Sequence, residues 1–196
     1  MERYYGILTR IDWNSNRWQS KPTPEDLATS EYNKDNSSLY AAFNFAVPTV
    51  TSEENTVKAG YFYQFSESPP KPEALKYLKV VFVQSRDLQE KKEMLVGLYA
   101  FPTFAVMRDA SPYEELPYIY SNLKTTPAFV HLFENFLDMD TLDKKLFSVQ
   151  YKSKGKRTYS WLSQTQVGKI LDSLTVINLQ DKQLHALKFK LLKSMM

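Results

Sequence analysis

KVVFVQSRDLQEKKEMLVGLYAFPTFAVM, residues 79–107, is the stretch of sequence that decides the fold. It contains two apolar runs, residues 80–83 and 94–107, separated by a charged segment at residues 85–93. Runs of β-branched and aromatic residues bounded by turn-forming residues predict buried strands. Strands that are apolar on both faces belong in the middle of a sheet or in a barrel. The stretch therefore predicts a β-hairpin that forms the centre of a small β-barrel.

Further strands are predicted on both sides of this hairpin. Residues 3–11, RYYGILTRI, alternate roughly and are rich in β-forming residues, which predicts the first strand. Residues 58–65, KAGYFYQF, predict a strand with aromatic side chains on both faces, and Gly60 within it indicates a bulge or a close backbone approach. Shorter strands are predicted at residues 118–120 and within residues 144–151.

Helices are predicted where apolar residues recur at the spacing of one helical face. Residues 23–27, TPEDL, begin with an N-capping Thr and a Pro at the first helical position, so they start a short helix. Residues 126–139 predict a longer helix, residues 163–174 an amphipathic helix and residues 179–196 a last helix. The apolar residues 39–45 fit either a helix or a strand. Together with the strands, these helices predict an α+β fold.

Composition limits the class of protein. The chain has 196 residues, enough for one domain or one domain with an appendage. It has no Cys, which excludes disulfides and thiolate metal sites and fits a cytoplasmic location. No run has signal-peptide form or transmembrane length, so we expect no membrane partner. The net charge is only +3, so any affinity for nucleic acid must come from local patches.

Catalytic signals are poor. The two His residues, His131 and His185, have no metal-ligand spacing and no neighbouring nucleophile. The string from Glu90 to Lys92 resembles the acidic-x-Lys element of restriction nucleases, but it lies in a charged hairpin tip and is interpreted as solvated charge. With five Gly in all, a Gly-rich phosphate loop is absent. We expect no catalytic residue, no metal and no cofactor.

Aromatic residues make up 14% of the chain and need a use in the core, in a recognition surface or in both. Two Trp lie in a polar loop, and four further aromatic residues alternate along two predicted strands. The alternatives are that these side chains pack as lids and core, or that they stack on a ligand ring, where each base is worth about 1–3 kcal/mol. The predicted base-binding cage consists of Trp13, Trp18, Tyr61, Tyr63, Tyr99 and Phe101.

A basic loop surrounds Gly155 and lies just before Tyr159 and Trp161. Such a charge run is either a solvated loop or a surface that follows a phosphate backbone. The residues predicted to contact the backbone are Arg10, Arg17, Lys21, Lys152, Lys154, Lys156 and Arg157.

Several short motifs occur in an order that resembles a known family. They are DW followed by W at residues 12–18, PTPEDL at 22–27, FNFA at 43–46, AGYF at 59–62, VVFV with a following Ser at 80–85, and LVGLYA at 95–100. In these motifs the chain resembles the N-terminal domain of archaeal-type McrB proteins, the motor subunits of modification-dependent restriction systems, and similar modules fused to other restriction enzymes. The resemblance covers most of residues 1–160.

The resemblance implies a PUA-like fold of the EVE and YTH type, a mixed β-barrel of about five to six strands with flanking helices. Residues 1–178 would form this domain. Residues 179–196 would be an outward helix that connects to a following AAA+ GTPase domain, and a separate nuclease subunit would cut. Modules of this kind typically flip a base out of the nucleic acid and hold it in an aromatic cage.

The expected function is therefore non-catalytic recognition of nucleic acid, with a methylated base of DNA as the target of a restriction complex. Extruding a base costs a few kcal/mol, and two stacking contacts roughly offset that cost. Three alternatives stay open at this point: an RNA-binding PUA-like module, a barrel for protein interaction in which the aromatic residues simply pack, and a metal-dependent nuclease.

Overall fold

The computed structural model describes residues 3–29, 41, 44–46, 51–52, 55–56, 58–110, 118–142 and 159–196. The strands are β1 Gly6–Arg10, β2 Thr51–Ser52, β3 Asn55–Thr56, β4 Lys58–Gly60, β5 Val80–Arg86, β6 Glu93–Ala100, β7 Thr103–Ala110, β8 Tyr118–Thr125, β9 Val130–Asp138 and β10 Ser160–Leu162. The helices are α1 Pro24–Thr29, α2 Tyr63–Glu67, α3 Pro72–Leu75, α4 Gln164–Ile177 and α5 Lys182–Ser194, with 3-10 turns at Pro127–Phe129 and Met139–Thr141. The predicted α+β class is confirmed.

The predicted hairpin lies inside a five-stranded sheet. The strand order is β10-β1-β5-β6-β9, in which β1 runs parallel to β5 and the other neighbours are antiparallel. Val81 of β5 pairs with Tyr99 of β6 and with Ile7 of β1. The central position of the hairpin and the first strand are therefore confirmed.

Both faces of this sheet are covered, which explains why β5 and β6 are apolar on both sides. On one face, Phe82 and Leu98 belong to a core cluster with residues of α4 and α5. On the other face, Val81 and Tyr99 belong to a second cluster that includes Trp18. The sheet thus lies between a helical layer and an aromatic layer.

The sheets do not close into a barrel within the described residues. Besides the five-stranded sheet there are a three-stranded sheet, β4-β8-β7, and the pair β2-β3. The second apolar run of the predicted hairpin is divided at Phe101, whose φ is 49°, and Pro102, which has no N–H for a ladder. β6 therefore ends in one sheet and β7 begins in another, and the predicted barrel is replaced by separate sheets.

The predicted strand at residues 58–65 is wrong beyond Gly60, where the chain turns into α2. The Asn44 side chain forms two hydrogen bonds with the main chain of Tyr61, at 2.8 and 2.9 Å. The Asn122 side chain does the same with Phe62, at 2.7 and 3.0 Å. These amides satisfy the main-chain groups that a continuing ladder would have used.

The predicted helix at residues 126–139 is also wrong, because this segment is mainly β9. Leu132 lies opposite Gly97 and Leu137 lies opposite Leu95, so residues 133–136 form a bulge opposite a single residue of β6. The bulge shifts the phase of the apolar residues along the strand. This shift produced a spacing that resembles one face of a helix.

The C-terminal helices begin with clear caps. Ser163 forms a capping box with Gln166 before α4, and Asp181 caps α5 by accepting a hydrogen bond from the N–H of Leu184. The amphipathic helix predicted at residues 163–174 is confirmed, since its apolar positions are buried.

The expectation that the last helix lies outside the core is wrong. Leu184, Leu187 and Leu191 of α5 are at most 2% exposed and belong to the core cluster beneath the helical layer. Helix packing here follows the apolar stripe, which is wide enough to bury one whole side of α5. A domain boundary at residue 178 and a connection to a AAA+ domain stay predictions.

The strand predicted at residues 144–151 lies outside the described residues, as does most of residues 39–45.

Candidate functional site

Two members of the predicted cage are interior residues. Trp18 is 1% exposed and Tyr99 is fully buried. The indole N–H of Trp18 donates to the carbonyl oxygen of Asp12 at 2.8 Å, and the Tyr99 hydroxyl donates to the carbonyl oxygen of Asn44. Phe45 lies between the two, with ring centroids 6.3 Å from Trp18 and 5.7 Å from Tyr99. In this conformation neither Trp18 nor Tyr99 presents a face to a base.

Trp13 and Tyr61 lie at the margin of the same cluster and keep partly exposed side chains. Trp13 packs edge-to-face on Trp18, with centroids 5.7 Å apart, and on Phe136 at 6.3 Å. The main chain of Tyr61 is held by Asn44, which fixes the position from which its side chain leaves the backbone.

Tyr63 and Phe101 lie away from that cluster. Tyr63 is on α2, and its hydroxyl donates to Oε1 of Glu67 at 2.6 Å. Phe101 packs on Phe129, with centroids 5.0 Å apart, and belongs to the cluster on the opposite face of the five-stranded sheet. The six predicted residues therefore do not converge on one place.

The residues predicted to contact phosphates have other partners or lie outside the description. Arg10 forms a 3.2 Å ion pair with Glu93, and Arg17 donates to main-chain carbonyls of β9. Lys21 is partly buried, and in the sequence it lies between the Trp loop, defined as residues 12–20, and α1. Lys152, Lys154, Lys156 and Arg157 lie outside the described residues.

A different aromatic group lies at the edge of the five-stranded sheet. Tyr4, Trp161 and Tyr159 are all partly exposed and form a row, which we call the edge row. The Trp161 ring centroid lies 5.6 Å from that of Tyr4 and 5.7 Å from that of Tyr159. Antiparallel pairing of β1 with β10 brings Tyr4 close to Tyr159 and Trp161, which are far from it in the sequence.

The inner end of the edge row rests on the aromatic layer. The Tyr159 ring packs on Phe65, with centroids 5.2 Å apart, and Phe65 packs on Phe104 at 4.9 Å. Burial raises the pKa of the Tyr159 hydroxyl above its ordinary value, and a hydrogen bond with Ser68 opposes that shift. Tyr159 therefore stays neutral at ordinary pH. Its contact with Phe65 anchors the edge row on the core.

Sequence reasoning noted Tyr159 and Trp161 as neighbours of the basic loop but missed Tyr4. Their contact depends on pairing between strands at opposite ends of the chain. The structural amides Asn44 and Asn122 were also missed, although they are only 1% and 5% exposed. A buried Asn has no periodic signal in a sequence, so no pattern could have identified either residue.

Two side chains that the sequence raised as catalytic candidates, His131 and Lys92, lie in ion pairs. No group of three or more His, Cys, Asp or Glu in this part of the chain is placed to hold a metal ion. His131 Nε2 lies 2.5 Å from Oδ2 of Asp181, in a partly buried pair that joins β9 to the start of α5. Because Asp181 is also the N-cap of α5, this pair has a structural use.

The charged hairpin tip forms a small surface network. Lys92 Nζ lies 3.1 Å from Glu90 and 3.5 Å from Asp138. The hydrogen bond to Glu90 and its negative charge raise the pKa of Lys92, and Asp138 contributes less. The Lys is thereby held protonated, whereas a proton-accepting Lys would need a lowered pKa.

Comparison of the chain with models of known families, with curated proteins and with solved structures found no match. In the described part of the chain, the helices are all too short or too polar to cross a bilayer.

Proposed function

We propose that the chain is a non-catalytic module that recognises nucleic acid by stacking bases on the edge row, with a methylated base in DNA as the expected ligand. The observation that carries the proposal is the partly exposed row of Tyr4, Trp161 and Tyr159. The resemblance to EVE-type domains and to the N-terminal domain of McrB proteins supports the choice of ligand. A relationship to PUA-like domains is therefore part of the proposal.

The edge row has the properties of a stacking platform. Aromatic side chains that neighbouring rings already hold lose little freedom when a base stacks on them, and each stacked base contributes about 1–3 kcal/mol. Tyr159 directly precedes β10 and Trp161 lies within it, and both rings pack against the same core cluster.

The basic loop around Gly155 comes directly before Tyr159 and Trp161 in the sequence. Arg157 is two residues before Tyr159 in the sequence. Lys152, Lys154 and Lys156 come just before it. Phosphate contacts from this segment would add the electrostatic part of the affinity, which aromatic side chains do not supply.

The test is a titration with oligonucleotides of one sequence: DNA with and without a methylated base, and RNA. We expect binding, measured by fluorescence anisotropy, and a change in Trp emission that the Trp161→Ala variant no longer shows. Trp161→Ala should weaken binding about ten- to a hundredfold, which corresponds to the loss of one stacked base. The matched control is Phe189→Ala, which removes an exposed aromatic ring from α5. If no oligonucleotide binds, or if Trp161→Ala binds like the wild type while folded, the proposal is wrong.

A second candidate function is protein interaction, with the aromatic residues acting as core. The burial of Trp18 and Tyr99 favours it, because two of the predicted cage residues do pack in the interior. The same titration separates the two candidates. A chain that binds none of the DNA or RNA oligonucleotides, with unchanged Trp emission, would favour the protein-interaction function. If the chain prefers RNA to DNA, the edge row remains the proposed site and RNA becomes the ligand.

A further inference from the structure

The outer face of the helical layer carries an exposed aromatic ring. α5 directs Leu184, Leu187 and Leu191 into the core. At 100° per residue, the opposite side of the helix carries Lys182 and Phe189. Phe189 is 70% exposed, and the described part of the chain shows no ring packed against it. A large apolar side chain in this position contributes nothing to the core of the folded chain.

Further apolar side chains project from the same layer. Val176, near the end of α4, is 67% exposed, and Leu179, in the turn between α4 and α5, is 71% exposed. Val176 lies opposite the buried side of α4, which contains Val167 and Leu171. Both helices thus present apolar side chains on the side that points away from the sheet. Single exposed apolar residues are common, but several on one face mark an interaction surface.

The charge of this face is positive. Lys169, Lys182 and Lys193 are exposed and form no ion pair with any residue that the structure describes. Lys188 is different, because its Nζ lies 2.7 Å from Asp172 and so joins α5 to α4. The other three lysines lie on the same outer sides of α4 and α5 as the exposed apolar side chains, and no ion pair of this kind joins them to a carboxylate of the described residues. The face therefore suits an anionic partner.

We propose that this face, which comprises Lys169, Val176, Leu179, Lys182, Phe189 and Lys193, binds peripherally to an anionic lipid surface. Lysine attracts anionic headgroups, and apolar side chains enter the boundary between headgroups and acyl chains. The outer sides of α4 and α5 both turn away from the core, so an extended anionic surface can contact both helices at once. Nucleic acid offers a partner to the lysines, but none to the aliphatic side chains of Val176 and Leu179.

This inference is independent of the edge row and goes beyond the proposed nucleic-acid function. It also departs from the expectation that the chain has no membrane partner, which rested on the lack of a spanning run. A peripheral contact needs no spanning helix. Each lysine near an anionic surface strengthens binding about fivefold, so three lysines give about a hundredfold preference for anionic over neutral lipid.

The test is co-sedimentation of the full chain with vesicles of phosphatidylcholine alone and with vesicles that also contain phosphatidylserine. We expect binding to the anionic vesicles only, and loss of that binding in high salt. Phe189→Ala should weaken it about tenfold, the effect of withdrawing one large apolar side chain. The double variant Lys182→Glu with Lys193→Glu should abolish it. The matched control, Lys71→Glu with Lys76→Glu, makes the same charge change at α3 and should bind like the wild type.

Four outcomes would overturn the inference. They are equal binding to neutral vesicles, no binding to either kind, equal effects of the two double variants, and self-association that depends on Phe189. The last outcome would show that a second copy of the chain covers the face. All of the substituted side chains are exposed, so circular dichroism should show an unchanged fold in each variant.

Discussion

Arg17 is joined to Phe133 across the molecule, because its Nη2 donates to the main-chain carbonyl oxygen of Phe133. The same nitrogen lies 3.3 Å from the carbonyl oxygen of Glu134, and the guanidinium carbon lies 4.8 Å above the ring of Phe136. All three of these residues belong to the bulge of β9. Arg17 and Trp18 have positive φ values of 57° and 55°, a conformation that costs energy for residues with a Cβ. The Trp loop is held in this conformation by the contacts that Arg17 and Trp18 make.

Arg17 was predicted to contact a phosphate backbone, but these contacts imply that replacing it also lowers the free energy of unfolding. Arg17→Lys keeps the charge but loses the planar donor that reaches both carbonyl oxygens, and we expect a loss of about 1–3 kcal/mol in the free energy of unfolding. Urea denaturation measures this loss. Arg86→Ala, at the exposed end of β5, is the matched control and should stay within about 0.5 kcal/mol of the wild type. An Arg17→Lys variant as stable as the wild type would show that the bulge does not need this contact.

Trp18→Ala should destabilise the fold by about 3–5 kcal/mol, as expected when a large buried aromatic side chain is removed. Thermal unfolding followed by circular dichroism measures the effect. Trp161→Ala, at a partly exposed position, should cost clearly less and serves as the comparison. A folded Trp18→Ala variant with a wild-type melting temperature would contradict the interior placement of this residue and return it to the list of base-binding candidates.

Two glycines should respond oppositely to replacement by Ala. A Cβ on Gly97 would lie 2.4 Å from the Phe45 ring and 2.7 Å from the carbonyl oxygen of His131, so Gly97→Ala must displace main chain and lower stability. A Cβ on Gly168, in α4, would meet nothing within 4 Å. Gly168→Ala should therefore stabilise the helix by up to about 1 kcal/mol. Denaturant unfolding of the pair provides the check, and a stabilising Gly97→Ala would refute the close packing of β6 on Phe45.

Leu191→Ala should cost about 2–5 kcal/mol, because Leu191 is fully buried in the core beneath the helical layer. Removal of residues 187–196 should abolish cooperative unfolding, since it takes Leu187 and Met195 from the same cluster. Differential scanning calorimetry distinguishes these results. Lys193→Ala, on the outer side of α5, is the control and should leave the transition in place. A truncated chain that melts within a few degrees of the wild type would show that α5 is dispensable.

Tyr99 should make stability depend on alkaline pH. Burial raises the pKa of its hydroxyl far above the value of about 10 expected in the unfolded chain. The stabilisation is complete below pH 10 and is lost as pH rises through the range between the two pKa values, because the unfolded chain ionises first. Each pH unit above 10 costs about 1.4 kcal/mol. Tyr99→Phe should show a shallower decline between pH 9 and pH 11 in urea unfolding, and identical pH profiles would contradict this account.

Local sequence patterns predicted the parts of the fold that depend on local chemistry. The hairpin of β5 and β6 follows from two apolar runs, and α4 follows from Ser163 and its apolar stripe. β9 was misassigned because its bulge depends on a partner strand and on Arg17. The end of β4 was missed because Asn44 and Asn122, distant in sequence, bind the main chain there.

The candidate site was harder to predict than the fold. Sequence reasoning selected aromatic residues by their position in loops and strands, but exposure is decided by the tertiary packing of both layers. Trp18 lies in a polar loop and is nevertheless interior, whereas Tyr4 is near the N-terminus and lies in the edge row. The pairing of β1 with β10 decides which aromatic residues remain at the surface, and no local pattern encodes it.

The position of β1 between β5 and β10 has a consequence for how the chain reaches this structure during synthesis. Ile7 is made well before Val81 and Trp161, which are its neighbours in the sheet. During synthesis β1 leaves the ribosome before β5 and long before β10, so the edge of β1 that pairs with β10 stays open until residues 160–162 are made. Such distant pairing makes folding slow and leaves the apolar first strand available to chaperones or to other chains.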